Sequence, residues 1–155
     1  MSEQTMTDRP ERRPRPERTA FPIFRVITTR WMDNDHYGHI NNVTYYSWFD
    51  TAVNGYLLEA TGIDTRSLPA IGLVVESGCR YFAPLSFPDT IEVGLSVERL
   101  GARSISYGLG VFRAGEPQAA AAGHFVHVYV DRTTRTPTAI PESVRSAVIP
   151  LVVRS

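Results

Sequence analysis

The stretch from Arg30 to Gly62 constrains this chain more than any other, because a polar turn there runs straight into one long amphipathic segment. Its first third, R-W-M-D-N-D-H-Y-G-H-I-N-N, crowds Asp33, Asp35, His36, Gly38, His39, Asn41 and Asn42 into ten positions. Beyond it, Tyr45, Tyr46, Phe49, Ala52, Val53, Tyr56, Leu57 and Ala60 recur at three- and four-residue steps, which predicts one buried helical face. Asn41 or Asn42 suits the N-cap, since a side-chain amide oxygen accepts from the unpaired N–H groups of the first turn. Gly62 suits the C′ position, where φ is usually positive. A carboxylate and imidazoles therefore stand just ahead of a helix N-terminus. Free N–H groups and the positive end of the helix dipole can hold a developing negative charge there.

The remaining chain reads as strands. Phe24 to Thr29 is the first, and Gly72 to Phe82 the second, with Gly78 a candidate bulge. Ala83 to Asp89 is a loop held by two prolines. Thr90 to Leu100 alternates Ile91, Val93, Leu95 and Val97 with polar or small residues, the period of a half-buried strand. Arg103 to Arg113 and Ala119 to Val130 follow, and Glu142 to Leu151 reads as a short helix. One buried helix followed by an antiparallel meander is an α+β layout. About five strands need their inner face covered, and only the central segment offers a long apolar helix, so the sheet is expected to wrap it. An isolated subunit would leave a sheet edge open, which predicts a homo-oligomer.

At 155 residues the chain fits one domain. Its zero net charge argues against an electrostatic nucleic-acid binder, and all its basic side chains are arginine. The single cysteine, Cys79, excludes an internal disulfide and fits a reducing compartment. No apolar run approaches the roughly 20 residues of a membrane span, and no signal peptide is visible, so a cytoplasmic protein is expected. Residues 1–20 are rich in Arg, Glu and Pro and poor in apolar side chains, which predicts a disordered tail ahead of a domain at 21–155.

D-N-D-H-Y-G-H-I-N-N-V-T-Y resembles the signature of hotdog-fold acyl-CoA thioesterases of the 4-hydroxybenzoyl-CoA thioesterase family. It is closer still to the related acyl-carrier-protein thioesterases, whose Asp-x-Asp-x-x-x-His-x-Asn-Asn is met by Asp33, Asp35, His39, Asn41 and Asn42, with Tyr45 following. The resemblance runs from about Phe24 to Pro150. It implies an antiparallel sheet of about five strands around one long helix, assembled as a dimer or tetramer. It also implies an acyl-CoA or acyl-carrier-protein substrate, with neither cofactor nor metal.

Within that resemblance Asp35 matches the catalytic carboxylate. Thioester hydrolysis needs a water made nucleophilic or a carboxylate that attacks directly, and the sequence leaves both open. The family comparison places the oxyanion donor at the backbone N–H of Asn42. His39 either orients Asp35 or the thioester, or stitches the loop. Asp33 reads first as a structural carboxylate. Asn41 and Tyr45 are candidate substrate contacts, and Arg103 and Ser104 match positions that meet the nucleotide end of coenzyme A. Arginine's planar donor fork suits phosphate. His36 has less support, His124 and His127 read as sheet residues, Cys79 as core, and Glu76 as a solvated or cross-dimer carboxylate. Two other functions compete with hydrolysis. One is a hotdog hydratase or dehydratase, whose Asp-x-Asn-Pro-x-His is not matched after Asp35. The other is a non-catalytic acyl-CoA-binding module.

Overall fold

The central helix begins where the sequence offers a cap. In the computed structural model, which describes residues 14–153, Asn41 is extended and its side chain accepts from Val43 N, starting α1 at Asn42–Thr61. Gly62 closes the helix in the left-handed region at φ 67°. Five strands surround it: β1 Ile23–Thr28, β2 Ala70–Tyr81, β3 Thr90–Leu100, β4 Ser104–Arg113 and β5 Ala121–Asp131, with a short α2 at Glu142–Val148. They form one antiparallel sheet in the order β1-β3-β4-β5-β2. This is the α+β layout that the alternating strands and single long helix predicted, and the hotdog fold that the family resemblance implied. Among the described residues no helix is long and apolar enough to cross a membrane.

Inward side chains of β3, β4 and β5 meet α1 in one core, with Phe49, Ala52 and Val53 fully buried against strand residues such as Val93, Leu109 and Phe125. Phe49 lies directly on Gly123, where an added Cβ would stand 2.5 Å from its ring, so this close approach needs glycine. The buried face differs from the predicted one at its margins. Tyr46 and Ala60 are exposed, whereas Trp48 is buried. The β1 side explains this: Arg25 reaches across to Glu59 at 2.8 Å and packs on Gly55, covering the helix flank that carries Trp48. The opposite flank, with Tyr46, Asp50 and Asn54, looks towards β2 at the sheet edge.

The bulge in β2 falls at Val75, where pairing with β5 shifts between Val74 and Glu76, and not at Gly78. Gly78 instead makes room for the ring of His124, which hydrogen-bonds Glu76 at 3.0 Å on the exposed outer side.

The expected tail boundary also moves. Residues 1–13 lie outside the described residues, but 14–20 are clasped to the sheet. Pro16 O accepts from Ala119 N at 2.9 Å, and Arg18 N donates to Pro117 O at 3.2 Å. The Arg18 guanidinium pairs with Glu92 at 2.8 Å and sits 5.1 and 4.9 Å from the ring centroids of Phe24 and Phe112. Phe21 follows, edge-on to Phe112 at 5.9 Å and seated over Gly94 and Gly110. Arginine-rich composition hid these contacts, because two well-placed side chains suffice for them.

Arg18→Ala is therefore expected to destabilise the fold. A cation–π contact is worth about 0.5–2 kcal/mol and a half-exposed ion pair about 0.2–1. At roughly 2–4 °C per kcal/mol for a chain this size, a thermal melt should fall by several degrees. Deleting residues 1–20 should lower the melt at least as far.

Candidate active site

A tight polar loop between β1 and α1 builds the site. Asp33, only 3% exposed, accepts from Arg30 N at 2.7 Å and from the Arg30 guanidinium at 3.2 and 3.0 Å. Its main-chain oxygen accepts from Asn41 N at 2.8 Å, and Ile40 N donates to Leu85 O at 2.8 Å. These bonds tie the loop to the helix start on one side and to the β2–β3 connection on the other. Asp33 is thus the structural carboxylate of the pair.

Between these anchors the chain reverses. Asp35 N donates to His39 O at 2.7 Å and Gly38 N to Asp35 O at 3.1 Å, with Gly38 at φ 81°, a conformation that glycine takes without strain. One carboxylate oxygen of Asp35, Oδ1, accepts from Tyr37 N at 2.9 Å and His39 N at 3.2 Å. The other, Oδ2, has no protein partner among the described residues and is free for a substrate or a water.

Asp35, His39, Asn42, Tyr45, Tyr81 and Leu85 line a cavity of about 410 Å³. Asn42 is the first residue of α1, and its N–H has no partner among the described residues. The Tyr81 hydroxyl donates to Asn42 O at 3.2 Å, and its ring meets Tyr45 edge-on at 5.0 Å. The mouth thus has an oriented carboxylate, a free helix-terminal N–H and an apolar wall. Burial pushes the Tyr45 hydroxyl up to about 12, so it remains a neutral donor.

The structure brings Asp35, His39, Asn42 and Tyr45 to one cavity, as the loop motif suggested. Asn41 spends its amide oxygen on the helix cap at 3.2 Å. His39 and His36 are exposed, the latter stacked on Tyr37 at 4.0 Å. Arg103 and Ser104 do not join them: Ser104 opposes Val128 at one end of β5, whereas Tyr81 opposes Ala121 at the other. Sequence reasoning missed Tyr81 and Leu85. The signal available was an aromatic pair closing a strand ahead of a Pro-anchored loop. Cys79 is half-buried, and its thiol is pushed up to about 11 by that burial, which suits packing better than nucleophilic attack.

At the other end of α1 lies a smaller chamber of about 120 Å³, lined by Asn54, Leu68, Gly72, His127 and Tyr129 among others. His127 is 4% exposed and Tyr107 fully buried, yet neither ring nitrogen of His127 nor the Tyr107 hydroxyl has a partner among the described residues. Burial lowers His127 to about 4, with nearby Asp50 opposing part of the shift.

That shift has a definite sign. The unfolded imidazole titrates near 6.5, so between pH 6.5 and 4 the unfolded state binds the proton more readily. Stability is expected to be level above pH 6.5 and to fall as pH drops towards 4, by about 3 kcal/mol at most. Denaturant melts of wild type and His127→Phe across this window check it: the variant should lack this part of the slope.

A family model described as the thioesterase-like superfamily matches residues 29–148. The PA5185 protein of Pseudomonas aeruginosa strain PAO1 is 54% identical, covering 90% of this chain and 97% of that one at a TM-score of 0.87. PA2801, a candidate thioesterase of Pseudomonas aeruginosa, is 30% identical over 82% of this chain and 98% of its own, at a TM-score of 0.75. The BH1999 gentisyl-coenzyme A thioesterase is 27% identical over 81% and 98%, at a TM-score of 0.71.

Proposed function

The chain belongs to the thioesterase-like superfamily, and from that premise we propose that it hydrolyses acyl-coenzyme A or acyl-carrier-protein thioesters at the Asp35 loop. Hydrolysis of a thioester is the general activity that its family and relatives support. The observation that carries the site assignment is the half-used carboxylate of Asp35 sharing a cavity with the unpaired N–H of Asn42.

In this reading Tyr37 N and His39 N hold Oδ1 and so aim Oδ2 at the thioester. Oδ2 either takes a proton from an attacking water or adds to the carbonyl carbon itself; in the second case water then cleaves the resulting anhydride. Either way the carbonyl oxygen gains negative charge and the Asn42 N–H receives it, helped by the dipole of α1. The thiolate leaves and is protonated from solvent. His39, exposed at the mouth, orients the thioester.

Asp35→Asn keeps the shape of the side chain and removes its basicity. Thiol release should fall about 10²–10⁴-fold for a general base, and further for a nucleophile, with an unchanged melt. Near wild-type turnover would remove Asp35 from the mechanism. Asn42→Pro tests the donor, since Asn41 already has the extended ψ of 134° that a following proline demands. The proline variant should be folded and slower by on the order of 10²–10³, and Asn42→Ala near native. A folded, fully active proline variant would place carbonyl polarisation elsewhere.

The working unit in this reading is a homo-oligomer. β2 is an edge strand in the single chain, with Leu73, Val74 and Val75 exposed, Val75 by 60%. A second copy pairing antiparallel along this edge gives the ladder its missing partners and covers the apolar run. The double substitution Leu73→Lys and Val75→Lys should shift the protein to a monomer in sedimentation; an unchanged oligomer would place the interface elsewhere.

A further inference from the structure

The reversal that carries Asp35 is not held by packing. Residues 36–39 are all exposed, and a Cβ added at Gly38 would meet nothing within 4 Å. A segment this open keeps its shape through hydrogen bonds. Both of its ends are pinned from the β2–β3 connection: Ile40 N donates to Leu85 O at 2.8 Å, and Asn34 Oδ1 accepts from Phe87 N at 3.0 Å. Between them Ser86 reaches inside the reversal, where its hydroxyl donates to Gly38 O at 2.8 Å. Of these three bonds, only that of Ser86 comes from a side chain of the connection.

Gly38 O and His39 N belong to one peptide group. Its carbonyl takes the Ser86 hydroxyl, and its N–H donates to Asp35 Oδ1 at 3.2 Å. A hydrogen bond accepted at a peptide oxygen polarises the group and makes its N–H a stronger donor. The Ser86 hydroxyl therefore acts on the carboxylate through a single planar unit. Tyr37 N, the other donor to Oδ1 at 2.9 Å, sits in a different peptide. Ser86 is itself held by the sheet. Its N–H donates to Asp89 Oδ2 at 3.0 Å, and its carbonyl accepts from Asp89 N at 2.8 Å. Arg113 on β4 clamps this turn, with Nε 3.2 Å from the same Asp89 oxygen and Nη2 3.4 Å from Pro84 O. The hydroxyl thus reaches Gly38 from a framework outside the loop.

We infer that Ser86 is a positioning residue for hydrolysis: through the Gly38–His39 peptide it fixes the carboxylate of Asp35 with Oδ2 turned to the cavity. The inference rests on the hydrolytic reading above, and part of its test needs no turnover. In ¹⁵N-labelled protein the His39 amide proton should resonate further upfield in Ser86→Ala than in wild type, and should move more than that of Tyr37. Ser86→Thr, which keeps the hydroxyl, should leave it in place. Kinetics are read with acetyl-, octanoyl- and benzoyl-coenzyme A. Ser86→Ala should lower kcat about three- to tenfold, the contribution of one hydrogen bond, with KM unchanged. Ser86→Thr should retain the wild-type kcat. A serine that only stitches the loop would lower the melt on replacement and leave the rate of the folded protein alone.

Because Ser86 works through the carboxylate, its loss should be silent where the carboxylate is gone. Asp35→Asn alone and Asp35→Asn combined with Ser86→Ala should therefore share one residual rate. The inference fails if Ser86→Ala keeps the wild-type kcat, if the loss falls on KM, or if the same loss recurs in the Asp35→Asn background. If wild type releases thiol from none of the three thioesters, the hydrolytic reading fails and the kinetic role of Ser86 with it. The amide shift then still decides whether Ser86 holds the carboxylate, and an unmoved His39 amide overturns that as well.

Discussion

The site depends on the buried carboxylate of Asp33. At 3% exposure it is shut away from solvent, and it takes the Arg30 backbone N–H and guanidinium together. Because its own carbonyl also accepts from Asn41 N, the same residue fixes both the entry to the loop and the residue that caps α1. Asp35 stands two residues along, at the start of the reversal, and its carboxylate lines the cavity. One aspartate is spent on structure so that the other can be held in place and left partly unsatisfied.

The same division appears in the backbone of the helix start. Asn41 satisfies Val43 N, and Thr44 N reaches Asn41 O, which leaves the Asn42 N–H unused at the cavity wall. The Tyr81 hydroxyl donates to the carbonyl of Asn42, holding this residue in place while its own N–H, in the preceding peptide, is left unoccupied. A donor held rigid before the reaction costs no reorganisation when charge develops. β2 therefore does two things with one residue: it ends on Tyr81 and positions the helix N-terminus.

The helix, its cap, its C-terminal glycine and all five strands were legible because each is written locally, in a 3.6- or two-residue period bounded by turn residues. The loop chemistry was legible as residue types, and the resemblance already set Asp35 apart from Asp33; burial adds the physical reason that Asp33 is structural, since it is enclosed and satisfied by Arg30. Tyr46 and Trp48 lie at either margin of one helical stripe, and period alone ranks them equally. Which one is buried follows from the sheet: Arg25 and Glu59 close the β1 flank, and the β2 flank stays open. The bulge at Val75 and the clasp of Arg18 over Phe24 and Phe112 are non-local in the same way. Their determinants lie in strands far along the chain.

Two of the molecule's irregularities point in one direction. The open flank of α1 carries Tyr46, Asp50 and Asn54 beside an edge strand with exposed valines, and just inside that flank His127 and Tyr107 hold buried polar atoms with no partner among the described residues. A single chain that bore both would be losing stability at its edge and in its core at once. Native chains pair more than nine in ten of their buried polar groups, so exceptions concentrate where a ligand or a partner completes them. In the proposed homo-oligomer a second copy on β2 would supply this edge with its missing ladder.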